Sequence, residues 1–147
     1  MKTTKRFAAS IILGITICSY PSFAQKSQTM AINEKVVREF YAAYEKKDWH
    51  MLEVILADGF NFTSPAGDDH INVKVYKERC WPNSTNVKRV DFENILVDGD
   101  VAIAVYNGYT NGGKLFRNAE RFKIKDGKIE EIECFFGTGI NFPNSGK

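Results

Sequence analysis

The sequence predicts an α+β fold in which helices pack on one face of an antiparallel sheet. Helical periodicity dominates the first half of the chain, and four strand-like runs follow it in the second half. The runs are separated by three dipeptides that favour tight hairpin turns, Asp98-Gly99, Asn111-Gly112 and Asp126-Gly127. Helices followed by a meander of strands are typical of this class.

The first two helices are predicted from their apolar spacing. Over residues 30–47 apolar side chains recur three and four positions apart, which indicates an amphipathic helix. Asp48 is a suitable cap for a second, shorter helix, which we expect to end by Gly59.

A short strand, a loop and a third helix are predicted next. Aromatic and polar residues alternate over residues 60–63, which predicts a strand, and residues 64–70 (SPAGDDH) have the composition of a polar loop. Asn72 can cap a helix over residues 73–80. Pro82 ends that helix, because proline disfavours helical geometry in the residue before it.

The later strands are predicted over residues 87–97, 101–110, 114–125 and 128–137. Side chains alternate between the two faces of a strand, so one set should form the concave lining. That set comprises Glu120, Phe122, Ile124, Ile132, Cys134 and Phe136. Arg121, Lys123 and Lys125 then lie on the outer, solvated face.

The strand at residues 101–110 has apolar side chains on both faces, although a sheet with one wet face usually alternates with polar residues. Val101, Ile103 and Val105 alternate with Ala102, Ala104 and Tyr106. We therefore expect the outer face to be covered. A homodimer through this face is the economical prediction, and a large exposed patch is the alternative.

The N-terminus has the features of a secretory signal peptide. Basic residues precede an apolar run at residues 7–18, and small residues follow it up to Ala24. The run is shorter than the about 20 residues that a bilayer-spanning helix needs. We expect cleavage after Ala24 and a periplasmic or secreted protein with no membrane segment after cleavage. A lipid anchor at Cys18 is the rival prediction.

These boundaries predict a signal peptide over residues 1–24, one domain over residues 25–137 and a C-terminal tail over residues 138–147. The whole chain has 20 basic and 18 acidic residues, but three of the basic residues and none of the acidic ones precede Ala24. The mature domain would therefore be nearly neutral. Such a domain offers no basic surface to nucleic acid.

Two cysteines, Cys80 and Cys134, follow the predicted signal peptide. An exported compartment permits them to pair, so a disulfide and two thiols lining the pocket are both open. Neither the cysteines nor His50 and His70 have the spacing of a metal site. We expect no metal and no cofactor.

Four segments, taken in order, resemble one known superfamily. They are VVREFYAAYEKKDW (36–49), FNFTSP (60–65), YKERCWP (76–82) and NAERFKIKDGKIEEIECFFG (118–137). In this order they resemble the nuclear transport factor 2-like superfamily in its SnoaL-like branch, which includes ketosteroid isomerase and polyketide cyclase relatives. The resemblance implies a curved sheet wrapped as a cone around three helices, with an enclosed pocket.

The resemblance also locates three chemical positions of the ketosteroid isomerase branch. The catalytic aspartate of that branch corresponds to Ser64, and its hydrogen-bonding tyrosine corresponds to Phe40. Both roles are therefore missing at these positions, and steroid isomerisation is not expected. The second oxyanion donor, a carboxylic acid, corresponds to Glu120. Arg79 is the one cation we can name that would keep Glu120 ionised.

The predicted catalytic residues are Glu120 together with Asp69 and His70, because a carboxylate beside an imidazole makes a plausible general base. The alternative is that Asp69 and His70 are ordinary polar residues before a helix. Other side chains are predicted to line the pocket for a flat apolar ligand, or to belong to the core. They are Tyr41, Tyr44, Trp49, Phe60, Phe62, Trp81, Phe122, Ile132, Cys134 and Phe136.

Three functions are therefore open from the sequence. The first is an exported enzyme of the isomerase, cyclase or hydratase type. The second is a non-catalytic pocket for a small apolar or aromatic molecule. The third is a dimeric interaction module whose pocket is vestigial.

Overall fold

The computed structural model describes residues 23–136, which form three α-helices, one 3₁₀ helix and six strands. The predicted signal peptide and the predicted C-terminal tail lie almost wholly outside these residues. The order is α1 (Phe23–Lys46), α2 (Trp49–Glu53), β1 (Leu56–Ser64), β2 (Asp68–Asn72), α3 (Val73–Arg79), a 3₁₀ helix (Trp81–Asn86), β3 (Val87–Asp98), β4 (Val101–Thr110), β5 (Leu115–Lys125) and β6 (Lys128–Phe135).

Helix α1 packs its apolar stripe against the sheet. It begins at Phe23, earlier than the predicted start near residue 30, and its buried side chains include Val37, Phe40 and Tyr41. The buried Asn33 donates a 2.9 Å hydrogen bond to the carbonyl of Gly99 in the turn between β3 and β4. A buried amide without a partner would be costly, so this bond fixes how α1 lies across the sheet.

The two short helices have the predicted caps. Asp48 accepts a hydrogen bond from the backbone of Met51, and Asn72 accepts one from Val75. Helix α2 ends at Glu53, well before the limit of Gly59 that the sequence indicates, and β1 already begins at Leu56. Pairing of Leu56 with Ile129 in β6 outweighs the local helical pattern at this point.

The six strands form one sheet in the order β2-β1-β6-β5-β4-β3. Every neighbouring pair is antiparallel except β1 and β6, which run parallel. The register shifts within several ladders, and such bulges bend a strand and increase its twist. The result is the curved, unclosed sheet and the α+β class that the sequence predicts, with one ladder parallel rather than all antiparallel.

The segment predicted as a polar loop is partly a strand. Residues 68–72 pair with β1, with Ser64 opposite Asp68 and Phe62 opposite Ile71. The reversal is made at Gly67, whose φ of +90° suits glycine. Asp68 is buried, whereas Asp69 and His70 are both exposed. Strict alternation would bury His70 with Asp68, but the β1–β2 ladder is irregular here, since its register shifts between Phe62 and Ser64 and His70 has a φ of +50°.

The concave face of the sheet carries the core, as the alternation predicts. Phe122, Ile124, Ile129 and Ile132 are completely buried there, and Glu120 is buried in the same set. Leu96 and Ile103 pair across β3 and β4 on the convex face and stay exposed. No helix within residues 23–136 is both long and apolar enough to cross a membrane.

Candidate functional site

A cavity of about 210 Å³ lies between the helices and the concave face of the sheet. Five residues that the sequence predicts for the site line it, namely Tyr41, Tyr44, Phe62, Glu120 and Phe136. Twelve further residues complete the lining: Phe40, Ser64, Ala66, Asp68, Tyr76, Cys80, Asn83, Val87, Val90, Tyr106, Phe116 and Asn118. Eight of these seventeen residues are aromatic, and two, Asp68 and Glu120, carry carboxyl groups.

Glu120 receives three hydrogen bonds in the wall of this cavity. The hydroxyl of Tyr41 donates to Oε2 over 2.8 Å, and the hydroxyl of Tyr106 donates to Oε1 over 2.8 Å. The thiol of Cys134, directly opposite on β6, donates to Oε1 over 3.2 Å. None of the ion pairs within residues 23–136 involves Glu120. Its carboxyl group is therefore stabilised by neutral hydrogen-bond donors and not by a cation.

Burial raises the pKa of Glu120 above its ordinary value, and the hydrogen bonds from Tyr106, Tyr41 and Cys134 oppose this rise only in part. Removing a carboxylate from water penalises its charged form, whereas donors that face it favour that form. The net direction is upward because no cation is present within ion-pair distance in the described chain. Glu120 therefore holds its proton to a higher pH than an ordinary glutamate.

The tyrosines around Glu120 are held as hydrogen-bond donors. Burial, followed by the nearby charge of Glu120, raises the pKa of both Tyr41 and Tyr106 well above the ordinary value. The side-chain amide of Asn118 donates to the Tyr106 oxygen over 3.1 Å. Because that oxygen accepts from Asn118, the Tyr106 hydrogen is directed towards Glu120. The hydroxyl that Phe40 cannot supply is thus supplied by the next residue, Tyr41.

A second carboxyl group, Asp68, lines the same cavity and is 6% exposed. Its Oδ2 accepts a 2.8 Å hydrogen bond from the Ser64 hydroxyl. Arg79 Nη2 lies 2.9 Å from Oδ1, but off the line of a hydrogen bond, so this contact is an ion pair only. Arg79, considered above as a partner for Glu120, therefore neutralises Asp68 instead.

Cys80 and Cys134, the two cysteines within the described residues 23–136, are free thiols rather than a disulfide. Cys80 is half-buried in the cavity lining, with Sγ 3.9 Å from Oδ2 of Asp68. Burial and the charge of Asp68 raise the pKa of the Cys80 thiol to about 11. Burial and the charge of Glu120 also raise the pKa of Cys134. Thiols in this state are poor nucleophiles.

Tyr44 and Tyr76 share a hydrogen bond between their hydroxyl groups in the cavity wall. Burial raises the pKa of both residues, so both hydroxyls keep their hydrogens. One of these two hydrogens forms the shared bond. The other has no acceptor within residues 23–136 and is available to an oxygen atom of a ligand.

The predicted pair Asp69 and His70 lies outside the cavity. His70 Nδ1 is 2.5 Å from Asp69 Oδ1, and the two side chains are 70% and 87% exposed, respectively. The hydrogen bond to Asp69 raises the pKa of His70. The pair therefore has the geometry of a general base but faces solvent rather than the pocket.

Six predicted lining residues lie behind the cavity wall or beside it. Trp49 contacts Trp81 at a ring-centroid distance of 5.4 Å, and Trp81 contacts Tyr44 at 4.9 Å. The Phe60 ring packs on Tyr76 at 5.4 Å. The remaining three, Phe122, Ile132 and Cys134, are buried on the concave face, where they support Glu120.

Sequence reasoning missed several lining residues, among them Asp68, Tyr76, Tyr106 and Asn118. The period of two on β4 and β5 could have found Tyr106 and Asn118, which pair across these strands one row from Glu120. Asp68 gave no such signal, because its segment looked like a loop. Among the described residues, no group of three or more His, Cys, Asp or Glu side chains could hold a metal ion.

A sequence profile of the SnoaL-like domain matches residues 37–132, which is more than half of the chain. The chain belongs to the SnoaL-like domain family. No functionally curated protein matches this SnoaL-like domain.

Solved structures similar to this SnoaL-like domain include two proteins with different named activities and one designed protein. A Kribbella flavida protein assigned as a ketosteroid isomerase is 14% identical with a TM-score of 0.64, over 78% of this chain and 84% of that one. An epoxide hydrolase of the LEH type from M. tuberculosis is 17% identical with a TM-score of 0.61, over 74% and 84%. A de novo designed protein with a curved sheet is 19% identical with a TM-score of 0.63, over 74% and 87%. At these identities the similarity shows the fold alone.

Proposed function

We propose that this SnoaL-like domain binds a small, uncharged ring molecule inside the cavity, through a hydroxyl or carbonyl oxygen placed at Glu120. The observation that carries the proposal is a buried glutamate in the cavity wall that lacks a cationic partner in the described chain. A carboxyl group in such surroundings favours its neutral form, and a neutral carboxyl can donate a hydrogen bond.

Tyr41 is the group that would pass this hydrogen bond to the ligand. A proton on Oε2 of Glu120 would be donated to the Tyr41 oxygen, 2.8 Å away. The Tyr41 hydrogen would then be released towards the cavity that Tyr41 lines. The remaining hydrogen of the Tyr44–Tyr76 pair supplies a second donor for a ligand oxygen.

The size of the cavity limits the ligand to about one ring. An apolar cavity of about 150 Å³ is large enough to bind benzene. At about 210 Å³, this cavity has room for one ring with polar substituents. Its aromatic lining suits a flat molecule, and its polar groups would fix the orientation of that molecule.

An enzymatic role of the isomerase, cyclase or hydratase type is supported by Asp68. It is the second carboxyl group in the cavity, and Arg79 and Ser64 hold it in place. A carboxylate that is ionised beside a cation, as Asp68 is beside Arg79, can accept a proton while Glu120 and Tyr41 stabilise a developing oxyanion. We propose Asp68, rather than the exposed Asp69 and His70 pair, as the base.

The experiment equilibrates the purified protein with a mixture of one-ring alcohols, phenols and ketones and identifies the retained compounds by mass spectrometry. Wild type and Asp69→Asn, whose change lies outside the cavity, should retain the same compounds. Glu120→Leu and Tyr41→Phe should lose them. Retention that is unaffected by Glu120→Leu would place the binding site elsewhere and overturn the proposal.

A dimeric interaction module is the second candidate, and Leu96 and Ile103 favour it. They pair across β3 and β4 on the convex face, and are 63% and 41% exposed. We propose a homodimer through this face, exported to the periplasm or beyond. Light scattering at micromolar concentration tests the homodimer: wild type should be dimeric and Ile103→Lys monomeric. A monomeric wild type would exclude the homodimer.

A further inference from the structure

Gly108 on β4 lies directly opposite Phe116 on β5, and the ring of Phe116 lies over it. A Cβ atom added at Gly108 would be 2.0 Å from Cζ of Phe116 and within 2.5 Å of two further ring atoms. Atoms without a bond between them cannot approach so closely. The position that Phe116 occupies therefore requires glycine at residue 108.

Phe116 closes a row of residues across three strands. Val90 on β3 pairs with Gly108, and Gly108 pairs with Phe116. Val90 and Phe116 both line the cavity, and the Phe116 ring covers the space left by the missing side chain between them. The Phe116 and Tyr106 rings also form a T-shaped pair at a centroid distance of 6.2 Å.

The same strand carries Phe116 and Glu120 on one face. Residues four apart in a strand point to the same side, and at about 3.3 Å per residue their Cα atoms are about 13 Å apart. Asn118, which lines the cavity, lies between them. Along β5, Glu120 and Phe116 thus mark two ends of the cavity floor.

We propose that Phe116, seated on Gly108, is the specificity residue that limits the length of the ligand accepted beside Glu120. This inference rests on the proposed function, because it assumes that the ligand oxygen is bound at Glu120. A molecule anchored there by its oxygen extends along β5 and meets the Phe116 ring after about one ring. The preferred ligands are therefore single-ring alcohols, phenols or ketones without a long substituent opposite the oxygen.

The test compares phenol with 4-phenylphenol, which carries a second ring opposite the hydroxyl. Dissociation constants are measured by calorimetry for wild type, Phe116→Ala and the control Leu115→Ala. Leu115 is the adjacent residue, is 48% exposed and does not line the cavity. Phe116→Ala should tighten 4-phenylphenol binding by about tenfold or more, since a second ring becomes buried. Phenol binding should change much less, and Leu115→Ala should match wild type for both compounds.

The outcomes separate the inference from the proposed function. One outcome is that phenol binding depends on Glu120 but Phe116→Ala has the same preference for phenol over 4-phenylphenol as wild type. This outcome overturns the inference and leaves the proposed function standing. Phenol binding that survives in Glu120→Leu, or is absent from wild type, overturns the proposed function and the inference with it.

A double-mutant cycle tests the placement of Phe116 without any ligand. Gly108→Ala should lower the Tm of the wild-type protein, because the new methyl group and the Phe116 ring cannot occupy the same space. In the Phe116→Ala background the same change should lower the Tm far less. Equal Tm shifts in the two backgrounds would show that Phe116 does not lie on Gly108 and would overturn the inference.

Discussion

The hydroxyl of Tyr41 on α1 lies 2.8 Å from Oε2 of Glu120 on β5 and donates a hydrogen bond to it. This bond joins the longest helix to the middle of the concave face. Both groups are buried, so the hydrogen bond between them replaces the hydrogen bonds that each would form with water. A change in the charge of Glu120 should therefore be measurable through the stability of the whole domain.

Glu120→Gln should remove a pH dependence of stability. The pKa of Glu120 is raised in the folded state, so the folded protein holds a proton that the unfolded chain has lost above the ordinary glutamate pKa of about 4.3. The free energy of unfolding therefore falls as pH rises through that window, by at most about 1.4 kcal/mol per pH unit, and then levels off. Urea unfolding between acidic and mildly alkaline pH measures the free energy of unfolding of wild type and of Glu120→Gln. As pH rises, the stability of the variant relative to wild type should increase.

The matched control for this change is Glu53→Gln, at the exposed end of α2. Its curve of stability against pH should follow that of wild type, whereas Glu120→Gln should be at least as stable as wild type near neutral pH. If wild type instead gains stability relative to Glu120→Gln as pH rises, Glu120 is an ionised structural partner and the assignment of the site is wrong.

Tyr41→Phe should destabilise the protein more at high pH than at low pH. The substitution removes one donor from a buried carboxyl group, and a hydrogen bond to a charged group contributes about 1.5–3 kcal/mol against about 1 kcal/mol for a neutral one. The loss should therefore be about 1 kcal/mol while Glu120 is protonated and rise as it ionises. The control is Tyr109→Phe, because the Tyr109 ring lies beneath the guanidinium of Arg89. The stability lost in this control should not depend on pH.

Arg79→Met should destabilise the domain by about 1–3 kcal/mol, because it leaves the buried carboxylate of Asp68 without its cation. The double variant Asp68→Asn/Arg79→Met should recover part of this loss, since no charge is then left buried. Lys74→Met, an exposed residue on the same helix, is the control for losing a positive charge. Chemical unfolding that gave Arg79→Met and Lys74→Met the same stability would show that Arg79 does not hold Asp68.

The two thiols should label slowly in the native protein. With the Cys80 pKa at about 11, its reactive thiolate fraction near pH 8 is on the order of a hundredfold lower than that of a free cysteine. Labelling of a protein produced without residues 1–24, which leaves Cys80 and Cys134 as its two cysteines, should give little native reaction and two reactive thiols after unfolding in urea. Rapid native labelling that is abolished by Cys80→Ser would contradict the raised pKa of the half-buried Cys80 thiol.

The fold could be predicted well from sequence because its signals are local. Asp48 and Asn72 act as caps within one turn of their helices, and Asp126 and Gly127 both have the positive φ that a tight hairpin needs. The end of α2 could not be predicted in this way. It depends on Leu56 pairing with Ile129, more than 70 residues along the chain, and no helical pattern records that contact.

The site was predictable only in part, for the same reason. Glu120 was found from the resemblance and from its apolar strand neighbours. Asp68 was passed over in favour of Asp69 and His70, because a loop gives no rule for which side chain faces inwards. The pairing of β2 with β1 places Asp68 directly opposite Ser64, where its carboxylate accepts the Ser64 hydrogen bond and is buried. Arg79 then pairs with Asp68, and Glu120 is left without a cation in the described chain.

The most direct test of the central claim is a crystal structure of the protein grown with phenol. The account predicts one phenol in the cavity, with its oxygen about 2.7–3.1 Å from the Tyr41 hydroxyl or the Glu120 carboxyl group and its ring extending towards Phe116. An empty cavity at saturating phenol, or a phenol bound only on the convex face near Leu96 and Ile103, would contradict it.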